Sequence, residues 1–311
     1  MRNEDKTTPT MEPIIEPVAR ERLEAELTPE RIWRKTNKGG NILYTLTAAE
    51  CPDTMREIGR LRELSFRDGG GGTGNSIDID PLDTVSGGYT QLIVWDPVER
   101  EIMGGYRYII PRSSHPKHLS TEHYFEFSDT FREKYLPYTL ELGRSFVQPK
   151  YQSRNNPKSL FALDNLWDGL GAIVVRNPDV KYCFGKVTMY GDYNRQARNM
   201  LLYFLKKHFP DRENLLRSRY PVELDIDQAA MGELFCGKDY NEDYRILSRK
   251  IRDFNETIPP LINAYMSLSP TMKVFDTALN PDFGNVEETG ILITLSELYM
   301  QKVERHLSNI E

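Results

Sequence analysis

The chain has 311 residues, 39% of them hydrophobic and 11% aromatic, which is enough for one large domain or two small ones with a real core. Forty basic residues against forty-six acidic ones leave a formal net charge of −6, so no global attraction to nucleic acid or to an anionic membrane is built in. Cys51, Cys183 and Cys236 lie far apart without C-x-x-C spacing, and no apolar run approaches the roughly 20 residues that span a bilayer. A cytoplasmic protein without disulfides, a zinc site or a signal peptide is expected.

Residues 1–30 begin polar and charged and are expected to form a flexible segment ahead of a single domain over 31–311. Residues 50–66 set Met55, Ile58, Leu61 and Leu64 at helical spacing, and the glycine-rich run 68–74 after them reads as a flexible lid or hinge. Two apolar, β-branched runs, 89–95 (YTQLIVW) and 102–110 (IMGGYRYII), flank an Asp96-Pro97 turn and predict a hairpin. The alternation of 138–148 (YTLELGRSFVQ) predicts a central strand. An apolar helix over 160–174 follows, with Asn156 as its cap and Pro157 at its first position. Residues 182–190 (YCFGKVTMY) read as a strand and 195–208 as an amphipathic helix stopping at Pro210. The last hundred residues carry helical patterns at 244–254 and 260–268, a strand at 289–295 and a closing helix over 296–307.

Within the central strand, Glu141-Leu142-Gly143-Arg144 combines a carboxylate, a glycine and a cation. Glycine inside a strand marks a bulge or a close backbone approach, and a splayed strand frees N–H groups for a ligand carbonyl. Apolar residues of the following helix, Phe161, Leu163, Leu166 and Trp167, fit either a core or an acyl tunnel. His115, His118 and His123 lack metal-ligand spacing and read as a polar loop.

The order R-x-x-x-F (Arg62, Phe66), D-x-x-D (Asp80, Asp83), G-G-Y-R (ending at Arg107) and E-L-G-R-S-F-V-x-P (from Glu141) resembles the acyl-homoserine-lactone synthases. More closely, it resembles the GNAT-fold N-acyl amino acid synthases that make lyso-ornithine and lyso-glycine lipids, a group often labelled hemolysin-like. The resemblance covers residues 56–151 and resumes over 258–284 with I-P-P-L-I-x-x-Y and D-x-x-x-x-P-D-F-G.

That resemblance implies an α/β fold with a mixed central sheet flanked by helices, a core at about 50–210 and family-specific additions at both ends, including a C-terminal extension over 211–311. It implies an N-acyltransferase that moves a long-chain, 3-hydroxylated acyl group from acyl carrier protein to an amino acid α-amine, with glycine favoured over ornithine. Glu141 would be the general base, with Arg144 beside it. Arg62, Phe66, Asp80, Asp83 and Arg107 would form the substrate-binding site, in which the four charged residues make a buried cluster, and Ser145, Val147, Arg154, Lys158 and Ser159 would hold the donor's phosphopantetheine. No metal, bound cofactor or nucleic acid is implied. The other implied partners are a downstream O-acyltransferase and the inner face of the membrane.

Acetyl-CoA enzymes of this fold carry a glycine-rich pyrophosphate loop, whereas this chain has Arg154-Asn155-Asn156-Pro157-Lys158-Ser159. One phosphodiester suits that segment, so acyl carrier protein is expected as donor, with acyl-CoA as the alternative. Arg112, Lys117, Lys150, Arg154 and Lys158 would meet the acidic carrier if they share a face. Two rival readings remain at this point. One is a lactone-forming signal synthase, which would consume S-adenosylmethionine. The other is a non-catalytic module that binds acyl carrier protein or acyl chains, against which the joint presence of Glu141 and Arg144 stands.

Overall fold

A computed structural model describes residues 11–111, 119–153, 155–301 and 304. Arg112, His115, Lys117, His118 and Arg154 lie outside the described residues. Among the described residues there are ten strands: β1 Ile32–Lys35, β2 Ile42–Leu46, β3 Thr90–Asp96, β4 Glu101–Ile109, β5 Phe125–Phe127, β6 Thr139–Val147, β7 Tyr182–Met189, β8 Leu216–Ser218, β9 Lys273–Asn280 and β10 Val286–Thr294. Eight of them form one mixed sheet in the order β1-β2-β3-β4-β6-β7-β10-β9, while β5 and β8 pair separately. All neighbours in the large sheet run antiparallel except β6 and β7, which run parallel.

Strand alternation decides which helices cover which face. In β3, Leu92 and Val94 face a core with α4 (Ser159–Arg176), whereas Ile93 and Trp95 face a second core with α2 (Pro52–Asp68). Met55, Ile58 and Leu61 of α2 are almost wholly buried there, each contributing about 1.5–3 kcal/mol. The short helix α3 (Pro81–Thr84) precedes β3. Downstream, α5 (Arg195–His208), α6 (Gln228–Leu234), α7 (Tyr240–Arg252) and α8 (Pro260–Met266) complete the α4 side, where buried Phe204, Leu247 and Ile262 join its core.

The sheet recruits strands from outside the expected core on both sides, with β1 and β2 before residue 50 and β9 and β10 after residue 210. Residues expected to be loose up to position 30 include α1 (Arg20–Glu26), which is held because Leu23 and Leu27 are buried beside α2. The glycine run is no free hinge either. Thr73 and Gly74 donate backbone N–H bonds of 3.0 and 2.8 Å to the buried Glu63 carboxylate, which clamps the turn. Helix α4 begins at Ser159 with no side-chain cap, because Asn156 Oδ1 accepts the Lys158 amide at 3.0 Å and leaves Pro157 before the helix. In place of a helix start at residue 296, a 3₁₀ turn spans Leu295–Glu297. Leu295 and Tyr299 donate their amides to Lys181 and Leu268, and helical backbone starts at Met300. Among the described residues no helix is long and apolar enough to cross a membrane.

Candidate active site

Ladder pairing between β6 and β7 covers only Thr139, Leu140 and Glu141 against Tyr182, Cys183 and Phe184. Beyond Glu141 the strands part: β6 continues along β4, and β7 continues along β10 to Met189. The bulge expected at Gly143 lies one residue later, since between the pairs Gly143–Arg107 and Phe146–Gly105 two residues of β6, Arg144 and Ser145, oppose one of β4, Tyr106. Arg144 has φ +52°, a left-handed conformation costly for a non-glycine residue. At the start of the splay, Gly185 lets the strands approach, since a Cβ there would sit 2.9 Å from the Leu142 carbonyl.

A cavity of about 890 Å³ opens at this splay. Gly143, Arg144 and Ser145 line one wall and Lys186, Thr188 and Glu288 the other, with Asp80, Arg107, Ser120 and Phe66 also at its surface. Phe66 meets Phe283 edge-on at 5.1 Å, and the Arg144 guanidinium stacks over Phe283 at 4.8 Å. Phe283 is fixed by the turn that ends at Gly284, whose φ of +79° only glycine adopts cheaply.

Glu141 is fully buried and does not line the cavity. Tyr89 and Ser120 donate hydroxyl bonds of 2.7 and 2.8 Å to its Oε1, and Thr121 donates one of 3.0 Å to Oε2. Burial pushes its carboxyl above the ordinary value, and these three donors and Arg107 oppose that only in part. Ser120 is its link to the cavity: the Ser120 hydroxyl lies 3.8 Å from where a Gly143 Cβ would stand.

The charge cluster expected from the motifs is assembled, but most of it is sealed. Asp80 caps α3 by accepting the Leu82 amide, and Asp83 reciprocates by accepting the Asp80 amide, so D-x-x-D is first a capping box. Arg62 is 0% exposed and reaches Asp83 at 3.2 Å and the side-chain Oε1 of Gln91. Arg107 reaches Asp80 at 2.8 Å and Asp83 at 3.0 Å while lying 4.5 Å over the Tyr89 ring. Arg144 pairs with buried Asp78 at 2.9 Å and stands 3.9 Å from Asp80. Burial raises the Asp83 pKa, but Arg62 and Arg107 outweigh it and hold the carboxyl well below the usual range. Of Arg62, Phe66, Asp80, Asp83, Arg107 and Arg144, the cavity is lined by Phe66, Asp80, Arg107 and Arg144 but not by Arg62 or Asp83.

The opposite wall holds a second buried pair. Lys186 donates to Glu288 Oε1 at 2.5 Å, Asn280 donates to the same oxygen at 3.0 Å, and Thr188 donates to Oε2 at 2.9 Å. The ammonium of Lys186 also sits 4.4 Å over the Tyr124 ring. Burial raises the Glu288 pKa, but Lys186 and the two other donors more than reverse this, so the carboxylate stays ionised. Burial also lowers the Lys186 pKa; Glu288 opposes this, and Arg144 reinforces it.

Of the donor residues expected from sequence, Ser145 lines the cavity and Val147, Lys158 and Ser159 do not. Lys158 is held by Asp96, and Lys150 by Glu99 and Glu101, so both cations of the expected basic face that are described are neutralised by neighbouring acids. Among the described residues no group of three His, Cys, Asp or Glu side chains is placed to hold a metal.

Residues 61–162 match the acetyltransferase (GNAT) domain family. Over 303 residues the chain is 55% identical to a protein of Bacteroides thetaiotaomicron named glycine N(alpha)-acyltransferase, covering 96% of this chain and 90% of that one. A protein of the same name from Phocaeicola vulgatus is 52% identical over 305 residues, covering 96% and 94%. The chain belongs to the GNAT-fold N-acyl amino acid synthases. No solved structure matches it.

Around this cavity of an amino acid N-acyltransferase stand residues that sequence reasoning passed over. Ser120 falls in an irregular stretch without periodicity. Lys186 left a signal, a charge in the middle of an otherwise apolar strand, whereas Glu288 sits in the polar start of β10 beside Glu287 and Thr289 and left none.

Proposed function

We propose that the protein transfers a long-chain acyl group from acyl carrier protein to the α-amine of glycine. The observation that carries this reading is the splay between β6 and β7, which opens into a cavity with a hydroxyl-linked buried carboxylate on one side. Backbone N–H groups of β6 that have no β7 partner suit the thioester carbonyl and the oxyanion it becomes. Glycine's ammonium passes one proton through the Ser120 hydroxyl to Glu141, the amine attacks the carbonyl, and a C–N bond forms. Collapse of the adduct breaks the C–S bond, the leaving thiolate takes the second N–H proton, and Glu141 later releases its proton to water.

Glycine as acceptor is supported by the names of both relatives. Asp80 and Asp83, the carboxylates that would serve an ornithine side chain, are already engaged by Arg62 and Arg107. Carrier protein as donor is supported by the absence of a glycine-rich pyrophosphate loop at residues 154–159. A small apolar pocket of about 50 Å³ lined by Leu142, Trp167, Leu170, Val174 and Leu298 offers the acyl chain an apolar path beyond the splay. The product, carrying a 3-hydroxyl, would be the substrate of a separate membrane O-acyltransferase.

Purified enzyme given one 3-hydroxyacyl carrier protein and equal labelled glycine and ornithine should yield mainly acylglycine by mass spectrometry. Preferential acylation of ornithine would overturn the acceptor assignment. Repeating the assay with the matching acyl-CoA should give a much lower kcat/KM, and equal values would overturn the donor assignment.

A further inference from the structure

Most of the charge cluster supplied by the sequence motifs is turned inward, so its ability to read a zwitterionic acceptor is limited. The wall across the splay, by contrast, presents a cation and an anion together. Lys186 and Thr188 lie two residues apart on one face of β7, and Glu288 stands directly across from Thr188 on β10. Lys186 and Glu288 both line the cavity, yet the Glu288 side chain is only 1% exposed and the Lys186 side chain 11%.

A buried ion pair is a poor device for stability, since apolar residues of the same volume usually do as well or better. Its place on the wall of the reaction cavity therefore calls for a use. Glu288 receives two hydrogen bonds on Oε1 and one on Oε2, and an ionised carboxylate accepts about four, which leaves room for one more donor. Lys186 has three N–H donors, of which one is spent on Glu288.

We propose that Lys186 and Glu288 form the acceptor subsite, with the amino acid's nitrogen donating to Glu288 and its α-carboxylate accepting from Lys186. A zwitterion laid against the pair adds opposite charges to each member without orphaning either one. Its amine then faces the bulge at Gly143–Ser145, across the splay where the thioester carbonyl lies. This subsite rests on the N-acyl-transfer reading above and deepens it: the ligand is a small α-amino acid, recognised by its two charged ends.

Glycinamide, which keeps the amine and lacks the carboxylate, separates the two contacts. Wild-type enzyme should prefer glycine over glycinamide in kcat/KM. The double variant Lys186→Met/Glu288→Leu removes both charges, so neither is left buried alone, and should shrink that preference by about 10- to 100-fold with the donor's KM unchanged. An unchanged glycine-to-glycinamide ratio would overturn the proposal, because a merely structural role lowers both acceptors alike. Should the double variant fail to fold, the isosteric Glu288→Gln serves: it should raise KM for both acceptors by about tenfold, since both share the amine, while the donor's KM and the unfolding midpoint stay unchanged, which a merely structural role would not leave in place. A change under about twofold would reject the Glu288 contact. Wild-type enzyme that acylates neither acceptor would refute the transfer reading itself, which is a different outcome from either of these.

Discussion

Glu141→Gln is expected to lower kcat by about 10²-fold or more while leaving the fold intact. Glutamine keeps the volume, and the hydroxyls of Tyr89, Ser120 and Thr121 can rotate to satisfy an amide, so the local packing survives. The loss is chemical: an amide cannot take the proton that keeps an amino acid amine from attacking a thioester. Wild-type kcat should also fall on acidification through the raised Glu141 pKa, because the base must be ionised to act. Ser120→Ala breaks the link to the cavity and should lower kcat by a smaller factor, about tenfold. Near-normal turnover of Glu141→Gln at neutral pH would remove Glu141 from the mechanism.

Asp83→Asn is expected to destabilise the protein by about 3–5 kcal/mol, the usual cost of leaving a buried charge without its partner. Arg62 has no solvent to turn to and depends on Asp83 and the neutral Gln91, whereas Arg107 keeps Asp80. The double variant Arg62→Met/Asp83→Asn should recover most of that loss, because no uncompensated charge remains. The sign with pH follows from the depressed Asp83 pKa. Its contribution is complete above the unfolded value of about 4 and is lost as pH falls through the lower folded value, so mutant and wild type should converge in acid. Chemical denaturation of the three proteins at neutral pH and in acid measures both effects. Equal stability of Asp83→Asn and wild type at neutral pH would mean that the pair is solvated.

The elements legible in the sequence were those with a local period. Helices α2 and α5 each bury one regular stripe, and the hairpin of β3 and β4 is two short apolar runs buried on both faces around a turn, so local sequence alone reveals them. Strand β9 (KVFDTALN) carries polar residues such as Thr277 and Asn280 in buried positions, matched by Thr289 and Glu288 across the sheet, and such matching has no local signature. The ordering of α1 likewise depends on Leu23 and Leu27 finding a core supplied by residues far along the chain.

In the site, the motifs named the residues of the first wall, and the resemblance implied the burial of the charge cluster that Arg62, Asp83 and Arg107 show. Glu141 looked from sequence like a base that meets substrate, yet it is sealed, and the proposed proton path runs through the Ser120 hydroxyl. Lys150 and Lys158 looked like a free basic face, while Asp96, Glu99 and Glu101, 49 to 62 residues earlier, neutralise them. Charge balance across the fold is a tertiary property, and counting cations along a sequence does not reveal it.

The most direct measurement is intact mass spectrometry of purified enzyme, long-chain acyl carrier protein and glycine, following both proteins and the small-molecule product through one turnover. Direct attack in the splay predicts acylglycine and deacylated carrier protein forming one for one, with the enzyme's own mass unchanged throughout. Free fatty acid in place of acylglycine, or an enzyme carrying the acyl group before product appears, would contradict it.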